Sequence, residues 1–75
     1  MDDNLVTVRF METERYDPML DIEVVKLLAV TNKGTFHAEI PVIGPAPLRI
    51  RRRAFREHVM AALSMGEAPR EVRLE

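Results

Sequence analysis

Seventy-five residues make one small domain, and with 47% of them hydrophobic and 31% charged the chain is excluded from the intrinsically disordered class. The absence of cysteine excludes a disulfide framework and a thiolate metal site. No apolar run approaches the roughly 20 residues of a membrane helix, and the acidic opening MDDN is unlike the basic start of a signal peptide, so the expectation is a soluble cytoplasmic protein. A domain this short buries a smaller share of its surface than a larger one, which raises the expectation of a homodimer.

Residues 5 to 11, LVTVRFM, are β-branched and alternate, with Val6, Val8 and Phe10 on one side and Thr7 and Arg9 on the other. This predicts a strand with one buried face. The polar stretch METERYDPML reads as a connection, with Asp17-Pro18 biased toward a turn.

Residues 21 to 43 predict a hairpin. DIEVVKLLAVT and TFHAEIPVI flank Asn32-Lys33-Gly34, and a glycine able to take positive φ suits a short loop. With Thr31 opposite Thr35, Val30 faces Phe36, Leu28 faces Ala38, Lys26 faces Ile40 and Val24 faces Val42. That register collects most apolar side chains on one face and leaves Lys26 as a misfit whose stem must reach outward. The other face then carries Val25, Leu27 and Ala29, an apolar set in need of a cover, and these three are the expected dimer interface. Pro41 places the end of the second hairpin strand near itself or along an edge.

GPAP, residues 44 to 47, interrupts the sheet, and from Leu48 to Met65 the apolar period becomes helical. Leu48, Phe55, Val59, Ala62 and Leu63 share one side, Pro47 suits the first turn and Gly66 the position just past the end. In the competing reading LRIR is a short strand, which would explain why Ile50 lies off the apolar stripe. The tail EVRLE alternates and is able to add a last short strand. The expected fold class is therefore α+β: a small antiparallel sheet of three or four strands in the order β-β-β-α, with one helix on one face and residues 1–75 forming a single domain.

The chemistry is concentrated in RIRRRAFR, residues 49 to 56, five arginines in eight positions. Residues 1 to 47 hold eight acids and four bases, whereas residues 48 to 75 hold seven arginines and four glutamates, so the net charge of −1 conceals an acidic part and a basic part. On a long helix, Arg49, Arg52, Arg53 and Arg56 form one flank beside the apolar stripe and Arg51 borders its other side. They sit in the first turns, where the macrodipole disfavours cations by a few tenths to about 1 kcal/mol each. Something anionic must offset that. One source is internal, from acids such as Glu12, Glu14, Asp17, Asp21 and Glu23. A second is nucleic-acid phosphate, against which stand the negative net charge, the few aromatics and two prolines in GPAP that lack the N–H groups of a phosphate cradle. A third is an acidic protein partner, gripped by paired hydrogen bonds.

Other candidates are weak. His37 and Glu39 share a strand face and Glu57 and His58 adjoin on the helix, but two histidines on separate elements do not make the three or four converging ligands of a metal site. Ser64, the only serine, has no base spaced to activate it. Glu12 and Glu14 lack apolar flanks that would raise a pKa. No glycine-rich phosphate loop exists. The sequence thus predicts no enzyme, no cofactor and no metal, and instead an interaction protein. It is expected to dimerise through its sheet and to meet an acidic macromolecular partner at Arg49, Arg52, Arg53 and Arg56; a nucleic-acid-binding module using the same arginines is the alternative.

Overall fold

The computed structural model describes residues 7–43 and 48–74. It contains strands β1 (Val8–Asp17), β2 (Ile22–Thr31) and β3 (Gly34–Pro41), followed by helix α1 (Leu48–Ser64). The sheet is antiparallel in the order β1-β2-β3, which is the α+β class the sequence indicated. Leu5 and Val6 of the first expected strand, the GPAP segment and Glu75 lie outside the described residues.

β1 is longer than its apolar alternation suggested. The polar residues Glu12 to Asp17 continue the strand, paired one to one with β2 from Val8 opposite Thr31 to Asp17 opposite Ile22. Pairing with a strongly β-prone neighbour overrides the weak local preference of METERYD, and its polarity is tolerated because Met11 to Tyr16 are all exposed. The turn that follows is where Asp17-Pro18 places it: Asp17 Oδ1 accepts from the amides of Met19 (3.0 Å) and Leu20 (3.4 Å), and Asp21 closes the bend at φ 54°.

The hairpin register differs from the expected one by one residue. Thr31 lies opposite Gly34 and Val30 opposite Thr35, so Ala29 faces Phe36, Leu27 faces Ala38 and Val25 faces Ile40. The physical reason lies at Gly34. Asn32 and Lys33 keep ordinary negative φ, while Gly34 takes φ 134° as the first residue of β3. Glycine thus serves as a strand residue absorbing the twist next to the turn, not as part of the loop. The Thr31 hydroxyl ties the corner, accepting from the Lys33 amide (3.0 Å) and donating to the Gly34 carbonyl (2.7 Å). Because side chains alternate with period two, this slip exchanges the faces of β2. Lys26 moves to the open face, which removes the misfit.

The helix forms along its whole expected length, so LRIR is helical and Ile50 is exposed on its outer side. It ends in a Schellman cap: the Glu67 amide donates to the Ala62 carbonyl (2.9 Å), the Gly66 amide donates to the Leu63 carbonyl (3.1 Å), and Gly66 adopts φ 72°. The tail then returns along β3. His37 donates its amide to the Arg70 carbonyl and the Val72 amide donates to the His37 carbonyl (3.2 and 2.7 Å), a single parallel bridge of His37 with Glu71 that continues the sheet by one short segment.

The core sits between helix and sheet. Val25, Leu27, Ala29, Phe36, Ala38 and Ile40 from the sheet meet Phe55, Val59 and Ala62 from α1 and Val72 from the tail. Each of the larger side chains, the valines, Leu27, Ile40 and the two phenylalanines, contributes roughly 1.5–3 kcal/mol by leaving water. No described helix lies on the opposite sheet face. There Arg15 donates to Glu39 (3.1 Å) across β2, a span that crosses Val24.

Gly34 is constrained twice, since a Cβ there would meet Pro69 Cγ at 3.1 Å and the backbone φ is one that side-chain-bearing residues avoid. Gly34→Ala is expected to destabilise the fold by about 1–3 kcal/mol, read as a lowered urea midpoint. An unchanged midpoint would mean that the corner does not set the register.

Candidate interaction site on the helix flank and the first strand

α1 lies over β2 and β3 and leaves β1 uncovered, so the helix side and the first strand meet as a step. Phe55 from the helix contacts Phe10 of β1 edge to face, with ring centroids 6.4 Å apart and planes at 81°. The Arg56 guanidinium stands 4.6 Å above the Phe10 ring centroid, a cation–π contact. One helical turn earlier, Arg52 grips Glu12 with two bonds, Nε to Oε1 at 2.7 Å and an Nη to Oε2 at 2.8 Å. Stepping from Arg56 to Arg52 therefore moves from Phe10 to Glu12, so the helix runs antiparallel to β1. A groove of about 160 Å³ opens at this step, with Phe10, Leu27 and Phe55 as its apolar lining and Glu12, Arg52 and Arg56 at its polar side.

The arginines thus divide. The hydrogen bonds from Arg52 hold the Glu12 carboxyl below its ordinary pKa, and the same bonds raise that of Arg52, with a smaller contribution from the charge of Glu14. Arg53 pairs with Glu57 at 3.2 Å, an exposed contact one turn along the same helix of small energetic weight. Arg56 has an aromatic ring but, among the described residues, no carboxylate. Arg49 makes no ion pair among the described residues, and Arg51 lies on the other border of the apolar stripe beside Ile40, Pro41, Val42 and Ile43. Of the acids the sequence offered to the flank, only Glu12 pairs with it, and Arg53 is held instead by Glu57 of its own helix. Internal pairing accounts for two cations of the flank, Arg52 and Arg53, and leaves Arg49 and Arg56 without an ion pair among the described residues.

Val25, Leu27 and Ala29 need correction as an interface. They are the floor of this chain's own core, with exposures of 1, 3 and 0%, because the hairpin register turns them toward α1. The face left open instead carries Met11, Leu28 and Val30 among Arg9, Arg15, Lys26 and His37. The outer edge of β1, the site's other half, was hidden because polar residues 12 to 17 resembled a loop. The alternation Glu12-Thr13-Glu14-Arg15-Tyr16-Asp17 next to a hairpin was the available signal.

The remaining candidates stay apart. His37 lies 3.8 Å from Glu71, Glu39 binds Arg15, and His58 Nε2 accepts from Arg70 (3.1 Å), arginine having only donors. Among the described residues no group of three or more His, Asp or Glu could hold a metal, and Ser64 is exposed at the helix end. No described helix is long and apolar enough to cross a membrane. The chain matches no family model, no curated protein and no solved structure.

Glu12 contributes stability where it is ionised. Its folded pKa is depressed, so the contribution is present above the unfolded value and disappears as pH falls through the folded one. Both partners are partly exposed, with side-chain exposures of 35% and 46%, so Glu12→Gln should cost under about 1 kcal/mol at pH 7. Urea titrations should show that cost constant at neutral pH and vanishing in acid as the folded-state Glu12 becomes protonated; a cost independent of pH would contradict the ion pair.

Proposed function

We propose that this protein is a non-enzymatic interaction module whose contact site is the arginine flank of α1 together with the edge of β1, and whose partner is an acidic macromolecule. The observation that carries the reading is that Arg49 and Arg56 have no carboxylate among the described residues, although Arg49 lies in the first turn of α1, where the helix N-terminus disfavours cations. Arg52 and Arg53 flank them but are partly committed to Glu12 and Glu57. A carboxylate-bearing chain laid along the step would be met by guanidinium groups suited to two-pronged hydrogen bonding and by unpaired strand backbone. Nucleic acid is the alternative for the same cations. It is supported less well, because the flank is interleaved with Glu12, Glu14 and Glu57 and offers one partly covered aromatic, Phe10, in place of a stacking platform.

Fluorescence anisotropy with a labelled twelve-residue Asp/Glu-rich peptide, and with single-stranded and duplex DNA of similar length, separates the two. The peptide is expected to bind at low salt, more tightly than either DNA, and the triple variant R49Q/R53Q/R56Q is expected to bind it at least about tenfold more weakly, a difference of 1.4 kcal/mol. Tighter binding to DNA, with a log–log salt slope of about −0.9 per phosphate, would replace the proposal by its alternative. Binding to neither would remove both.

A further inference from the structure

The outer edge of β1 is an unprotected strand edge. From Val8 to Asp17 it is regular, without a proline or a bulge in its one-to-one ladder to β2, and no described element lies on its other side. Natural sheets normally blunt such an edge with proline, a bulge, a cover or repelling charge. Here charges are present, but both signs occur, with Arg9 and Arg15 among Glu12, Glu14 and Asp17, so one antiparallel register sets unlike charges opposite each other at its ends.

Resting on the acidic-partner reading above, we infer that the partner is a second copy of this chain, added antiparallel along β1 about a two-fold axis through Thr13. The pleat limits the choices. Two edges that extend one sheet must keep each residue opposite a residue of the same face, so the axis passes through a residue and not between two. Centred on Glu12, the pairing would set Glu12 against itself and Arg9 against Arg15. Centred on Glu14, it would set Glu14 against itself. Centred on Met11, it would pair only residues 8 to 14 and leave Arg15 and Asp17 without partners across the axis. Centred on Thr13, it pairs residues 9 to 17 and sets Arg9 opposite Asp17 at both ends.

Both end groups are available. Arg9 makes no ion pair among the described residues, and Asp17 uses Oδ1 for the turn amides while its Oδ2 has only Arg15 at 3.9 Å. On the helix side the same register sets Tyr16 of one copy opposite Phe10 of the other, at the groove beneath Arg56. It also sets Glu12 opposite Glu14. Those two acids would repel across a bare strand pair, and they are what the arginine flank is placed to meet: each copy's Arg52 and Arg56 stand along the step beside its own β1, one strand spacing of about 4.8 Å from the added one. The second copy thus brings to the flank its Glu14, which makes no ion pair among the described residues, and the strand edge and the arginine cluster become one interface.

The test is register-specific crosslinking, which a chain without cysteine allows cleanly. Thr13 and Met11 are exposed, and far-UV circular dichroism checks that each cysteine variant keeps the fold. Two Thr13→Cys chains would face each other at about 5 Å between Cβ atoms, near disulfide reach, whereas two Met11→Cys chains would be offset by four residues, about 14 Å. Mild oxidation is expected to link T13C into dimers and leave M11C monomeric. Sedimentation of the unmodified protein is expected to show a monomer–dimer equilibrium that R49Q/R56Q weakens at least tenfold. A monomer at high micromolar concentration, M11C linking as readily as T13C, or self-association indifferent to R49Q/R56Q would each overturn the inference. A monomer that still binds the acidic peptide would overturn it alone, whereas a monomer that binds no acidic peptide would remove the wider reading of free arginines as well.

Discussion

The pairing of Thr31 with Gly34 is the constraint on which the rest of the structure depends. One residue of slip at that corner would turn Val24, Lys26, Leu28 and Val30 toward the helix and put Val25, Leu27 and Ala29 in water. The observed register instead sets an unbroken apolar row from Val25 to Ala29 against Phe36, Ala38 and Ile40, and α1 closes over it with Phe55, Val59 and Ala62. Gly34 makes this possible by accepting a positive φ inside the strand and by leaving room for Pro69. The tail packs at that point and brings Val72 into the core, so the corner, the tail and the core are coupled.

With the helix fixed over β2 and β3, β1 becomes a ledge. Its inner half is tied to the helix through Phe10 and Glu12, by a ring under Arg56 and a doubly bonded carboxylate on Arg52. Its outer half is solvated. The arginine-rich first turns of the helix are tolerable in this fold partly because Glu12 stands opposite them, and the cations that Glu12 does not reach give the proposed interaction site its charge. Packing and electrostatics therefore share residues, and one strand serves both the fold and the proposed contact.

Much of the fold was legible in the residues. The helix could be read from the spacing of Leu48, Phe55, Val59 and Ala62 and from Gly66 at its end, because a 17-residue amphipathic stripe repeats its signal many times. The hairpin was equally plain, but its register was not, since glycine in a two- or three-residue connection fits either ladder and the apolar count on the two faces of β2 is nearly balanced. Lys26 was the one residue that argued for the observed choice. The polar half of β1 was illegible for a different reason: a solvated edge strand carries no apolar alternation, and only its neighbour makes it a strand. As to the site, the arginine flank and its two borders followed from helical periodicity, whereas the Arg52–Glu12 pairing joins residues 40 positions apart and depends on a topology that local patterns do not encode.

Thiol labelling tests the central claim most directly. Ala29 is fully buried and Val30 is 40% exposed, and cysteines placed singly at the two positions report which face of β2 the helix covers. Under native conditions Val30→Cys is expected to react with a maleimide or disulfide reagent at close to the rate of a free thiol, and Ala29→Cys at least about a hundredfold more slowly, as protection by the folded core requires. Rapid labelling at residue 29 together with protection at residue 30 would place the hairpin in the other register and contradict the account.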